Sequence, residues 1–120
     1  MKRIFLILSS FSLAITGCYY DKENVLYNCS VDASDTKYST TVGNLMTAYG
    51  CTGCHGATAP SGNINLAAYS GVKAVAANGR LYGAVSHATG YKPMPQGGNK
   101  MSDCDLKKLK AWIDAGAPNN

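Results

Sequence analysis

The sequence predicts an all-α fold of three to five short helices, and three observations carry that expectation. Apolar residues recur at helical intervals in Val42, Leu45, Met46 and Tyr49 and again in Leu106, Leu109, Trp112 and Ile113. No strand–helix alternation surrounds the central cysteines, which sets aside a thioredoxin-like reading of their C-x-x-C spacing. Those cysteines belong to Cys51-Thr52-Gly53-Cys54-His55, the order and spacing at which haem c is attached covalently, so the helices are expected to wrap around one haem.

Size and charge bound the rest. A chain of 120 residues with 46% hydrophobic and 15% charged residues is one small domain with extensions and can bury only a modest core. A prosthetic group or a cross-link would supply what the side chains lack. Eleven Lys and Arg face seven Asp and Glu, and Lys2 and Arg3 belong to a leader. The small positive balance that remains would be cancelled by two haem propionates, which argues against nucleic acid as a partner and against strong electrostatic steering.

Residues 1–17 read as a targeting segment: Lys2 and Arg3, an apolar run from Ile4 to Ile15 broken by serines, then Thr16 and Gly17 before Cys18. The run is shorter than the ~20 residues of a spanning helix. Ile15-Thr16-Gly17-Cys18 resembles a bacterial lipoprotein cleavage box, with Ile15 where leucine is more usual. That resemblance implies lipidation of Cys18, a stable anchor, and export to a bacterial cell envelope, facing the periplasm or the outside. Residues 18–39 are polar and read as a lipidated tether, whose twenty or so residues would reach roughly 65 Å if extended.

Cysteine counting adds a cross-link. With Cys18 assigned to lipid and Cys51 and Cys54 to haem, Cys29 and Cys104 remain, and leftover thiols in an exported protein usually pair. The alternative is that both stay reduced.

The folded domain is expected over residues 40–120. Its first amphipathic helix runs to Tyr49, with Gly50 ending it, and leads into the motif. There Cys51 and Cys54 would form the thioethers, and His55 would ligate iron through one ring nitrogen while the other donates to a backbone carbonyl, with Pro60 the candidate. The same residues suit half of a tetrahedral zinc site, but a structural zinc wants a fourth ligand and a second pair, and neither is evident. The Gly, Pro, Ser and Asn-rich stretch from Gly56 to Asn65 reads as a loop. Leu66 and Tyr69 are expected in the haem pocket wall, joined by Tyr91. Ser70 is expected to cap a helix over Val72–Ala77, ended by Gly79, and a further short helix runs from Arg80 to about Ser86.

Gly90 to Gly98 is a loop in which Pro93 and Pro95 flank Met94 and restrict its backbone, so that its thioether can be aimed. Four side chains compete as sixth iron ligand: Met94, Met101, His87 and Met46. Met46 lies on the buried stripe of the first helix, and Met101 stands where a hydrophobic staple begins. His87 is the rival that a bis-histidine haem would use. The last helix, Ser102 to Ala115, opens on a Ser102/Asp105 capping-box variant and stops at Gly116 and Pro118.

Residues 40–118 resemble a small bacterial class I cytochrome c: C-x-x-C-H after a first helix, Met94-Pro95 in a glycine-rich loop, and the ending from Met101 to Ile113. The resemblance implies His55 and Met94 as axial ligands of one haem c. It also implies that Gly43, a small residue on the first helix, faces Trp112 or Leu109 where the terminal helix crosses. The aromatic residue usual four places before the first cysteine is Thr47 here, and Tyr49 stands ready to compensate. With both axial positions filled by side chains, the expected role is one-electron transfer, not an enzyme and without a small-molecule substrate, in a monomer whose partners are membrane-associated redox proteins. The alternative is a haem sensor or ligand-binding module with a displaceable sixth ligand.

Overall fold

The computed structural model describes residues 29–120; the targeting segment, Cys18 and the first part of the expected tether lie outside the described residues. Five α-helical segments are found there and no strand: α1 (Gly43–Ala48), α2 (Cys51–Cys54), α3 (Tyr69–Ala77), α4 (Arg80–Val85) and α5 (Asp103–Asp114). The fold is all-α, as the periodicities require. A 3-10 turn at Ala33–Thr36 precedes a π-helical turn at Tyr38–Val42, which runs directly into α1. No helix among the described residues is long and apolar enough to cross a membrane.

Ordered packing starts before residue 40. Asp32 caps the first turn by accepting the N–H groups of Ser34 and Asp35, and that turn rests on α5. Cys29 is joined to Cys104 in the first turn of α5, with the Cα atoms 5.6 Å apart. The N–H groups of Tyr38 and Ser39 donate to the side chain and the carbonyl of Asn120, each at 2.9 Å. These contacts dock residues 29–39 on the domain, so the part of the expected tether that is described here is not free.

Val42, Leu45 and Met46 of the first helical stretch are buried, as their spacing predicts. Around them Leu109 and Trp112 of α5 are wholly enclosed. Burying Trp112 strands an indole N–H, and the carbonyl of Pro118 accepts it at 2.9 Å. Met101 is also fully buried just before the Ser102 cap, in the same cluster as Leu106, the place a staple residue takes.

Two local expectations are corrected. Gly43 does not face Trp112 or Leu109: a Cβ there would meet only the carbonyl oxygen of Tyr38, at 3.3 Å. Helix α5 packs instead on the π-turn, where the Tyr38 ring lies 5.9 Å from Trp112 and fills the crossing with an aromatic contact. Ser70 is inside α3, not its cap. The chain enters that helix through the Asn65 side chain, which accepts the Ala67 N–H at 2.9 Å, and Ala68 caps it with its backbone carbonyl alone.

Candidate functional site

The end of α1, α2, α4 and the loop around Met94 line a cavity of about 470 Å³ that is open on one side to solvent. Gly50, at φ 66°, breaks the chain between α1 and α2 and lets α2 begin as a separate turn. A spacing of three within one helical turn puts Cys51 and Cys54 on the same face, and both line the cavity. Both thiols are free; Cys51 is half-buried and Cys54 exposed. Burial pushes the Cys51 thiol up from its ordinary value, against a smaller opposing backbone hydrogen bond.

His55 follows on the same wall, with Nδ1 3.0 Å from the carbonyl oxygen of Ser61. A carbonyl can only accept, so the proton lies on Nδ1 and the lone pair of the neutral ring on Nε2. The acceptor is one residue beyond the expected one; the Pro60 and Ser61 carbonyls each accept an N–H of the same 3-10 turn, from Asn63 at 3.0 Å and Ile64 at 3.3 Å, and it is the Ser61 oxygen that also comes within reach of the ring. Pro60 does not line the cavity. The His55 carbonyl in turn accepts the Leu66 N–H at 2.7 Å, which draws Leu66 into the wall.

Tyr69 also falls outside. Its hydroxyl donates to the Ala117 carbonyl at 2.8 Å, and its ring stands edge-on to Tyr38 at 5.0 Å, so it ties α3 to the end of α5.

The opposite wall is shaped by α4. Met94 lines the cavity, with its N–H donating to the Ala84 carbonyl at 3.0 Å. Tyr91 lines it too, lying so close over α4 that a Cβ on Gly83 would stand 2.5 Å from its ring. His87 is exposed and absent from the lining; its Nε2 is 3.1 Å from the Met94 carbonyl oxygen. Met46 and Met101 are core residues and do not line it either. The structure therefore gathers Cys51, Cys54, His55, Leu66, Tyr91 and Met94 around one space, and leaves Pro60, Tyr69 and His87 out of it.

Other residues complete the walls, of which sequence reasoning missed Ile64, Arg80 and Lys92. Leu81, Val85 and Ile64 are apolar, and Arg80 and Lys92 are the charged residues of the lining, which holds no carboxylate. Gly83 was legible in principle, since a glycine inside a helix usually marks a close approach. Among the described residues, no group of three or more His, Cys, Asp or Glu side chains is gathered as a metal ion alone would need. The donors that could hold a larger group are two thiols and an imidazole from α2 and its end, and a thioether from the loop.

No family model matches the chain, and no curated protein or solved structure is significantly similar to it.

Proposed function

We propose that this chain is an electron-transfer protein with a class I cytochrome c-like fold, carrying one electron at a single covalent haem c. The observation that carries the reading is the convergence of Cys51, Cys54 and His55 with Met94, distant in sequence, on one cavity. The residues fit the group. The volume lies within the roughly 300–1,000 Å³ of ligand pockets, Leu66, Leu81 and Val85 offer apolar walls to a macrocycle, and Arg80 and Lys92 offer charge to its carboxylates.

Cys51 and Cys54 would form the two thioethers, and Nε2 of His55 and the sulfur of Met94 would hold the iron. When bound, haem supplies one-electron cycling between ferric and ferrous iron, and a thioether ligand raises the potential. The Ser61 carbonyl fixes the His55 tautomer and ring orientation. The backbone bond to Ala84 holds the Met94 segment against α4. With His55 and Met94 both holding the iron, no position would remain on it for a substrate, so the proposed role is transfer and not enzymatic turnover. The box ending at Cys18 supports lipid anchoring in the cell envelope, beside the redox proteins that donate and accept the electron.

An absorption spectrum of oxidised and reduced protein, followed by redox titration, tests the reading. Expected are a covalent haem spectrum and a weak far-red sulfur-to-iron band that Met94→Ala abolishes and Met101→Ala leaves intact. A colourless exported protein refutes haem. Ready binding of carbon monoxide by reduced wild type would instead identify a sensor.

A further inference from the structure

Helices α4 and α5 end in the same hydrogen-bonded turn with different residues at its key position. After α5, the Gly116 N–H donates to Ile113 and the Ala117 N–H to Trp112, both at 2.9 Å, with Gly116 at φ 88°. After α4, the His87 N–H donates to Ala84 at 3.3 Å and the Ala88 N–H to Gly83 at 2.9 Å, with His87 at φ 55°. Glycine takes this left-handed position freely, whereas a residue with a Cβ does so at a cost. Ala59, Asn63 and Ala117 also stand at positive φ, so the conformation alone does not assign His87 a role.

The ring of His87 supplies the role. Its Nε2 lies 3.1 Å from the Met94 carbonyl, which can only accept, so Nε2 carries the proton and donates. The Met94 N–H donates to Ala84 on the same helix. Both backbone polar groups of Met94 are therefore held by the end of α4.

We propose that His87 is the positioning residue for Met94, clamping its carbonyl so that the thioether keeps one orientation in the cavity wall. This rests on Met94 as an axial iron ligand. It gives the histidine that competes with Met94 for the iron a different task, outside the cavity.

The haem-loaded full chain with His87→Gly separates the clamp from a merely structural helix end, because glycine suits the turn while deleting the donor. With the clamp lost, the Met94 amide should exchange its hydrogen on the order of fivefold faster, the factor set by one net hydrogen bond. Carbon monoxide should bind the reduced protein faster by a similar factor, and the far-red band should weaken. The denaturation midpoint should not fall. His87→Gln, whose amide nitrogen can stand near the place of Nε2, should restore part of each change. Exchange and carbon monoxide binding in His87→Gly equal to wild type would overturn the clamp. A wild-type protein without the far-red band, whose Met94 amide still responds to His87→Gly, would overturn Met94 as ligand and with it the purpose assigned to the clamp.

Discussion

The hydroxyl of Tyr49 donates to Oδ2 of Asp105 at 2.8 Å while accepting the Ser102 N–H at 3.0 Å. In a simple capping box, the side chain three residues after the cap reaches back to the cap's own N–H. Here Asp105 is too short for that, and Tyr49, from the end of the first helix, carries the bond between them. The Ser102 Oγ closes the set by accepting the Asp105 N–H at 3.1 Å. A residue lining the cavity beside Cys51 is thereby tied to the start of the last helix.

Tyr49→Phe removes both bonds of that hydroxyl and leaves the Ser102 N–H without its partner. Denaturant unfolding should show a loss of about 1–3 kcal/mol. In a double-mutant cycle with Asp105→Ala the two losses should fail to add, by about 1 kcal/mol. Strict additivity would show that the contact contributes nothing to stability.

Cys29 and Cys104 stand 75 residues apart in sequence, so their cross-link should restrict the unfolded chain over most of the domain. The chain-entropy argument gives about 4 kcal/mol for a loop of this size. The double variant Cys29→Ser/Cys104→Ser should lose stability of that order, and a non-reducing peptide map of the native protein should contain the two residues joined. Free alkylation of both in unfolded, unreduced protein would remove the cross-link.

Gly83→Ala sets two effects against each other. Helix propensity favours alanine by about 1 kcal/mol. The new Cβ would stand 2.5 Å from the Tyr91 ring, however, and overpacking of that kind costs roughly 1–3 kcal/mol. The net effect should be destabilising, with Tyr91 displaced from the cavity rim. In a Tyr91→Ala background the same substitution should become neutral or stabilising, and a loss of equal size there would mean that the ring is not the obstacle.

Alkaline pH should act through Tyr38. Burial, and to a lesser degree repulsion from Tyr69, raises its phenol above the ordinary value. An unfolded phenol ionises near pH 10, so the folded state then holds a proton that the unfolded state has released. The contribution is complete below that value and is lost as pH rises through the folded one. Denaturation midpoints followed from pH 8 to 11 should fall more steeply in wild type than in Tyr38→Phe. Parallel curves would locate the alkaline loss elsewhere.

The all-α class, the course of the first and last helices, the Ser102 cap and the order of the C-x-x-C-H residues were legible in the sequence, because each follows from spacing along a few turns. The cysteine count proposed the Cys29–Cys104 pair, which the fold brings together. Other features depended on which of several equivalent groups was nearest once the chain had packed. The acceptor for His55 is Ser61 and not Pro60, because the packed loop brings the Ser61 oxygen within 3.0 Å of the ring. Tyr69 turned toward Ala117 and away from the cavity, and the helix crossing fell on Tyr38 rather than Gly43. Local sequence lists the donors, acceptors and rings available within a turn or two. Competition among them is decided by distances between segments far apart in the chain, and only the tertiary structure determines those.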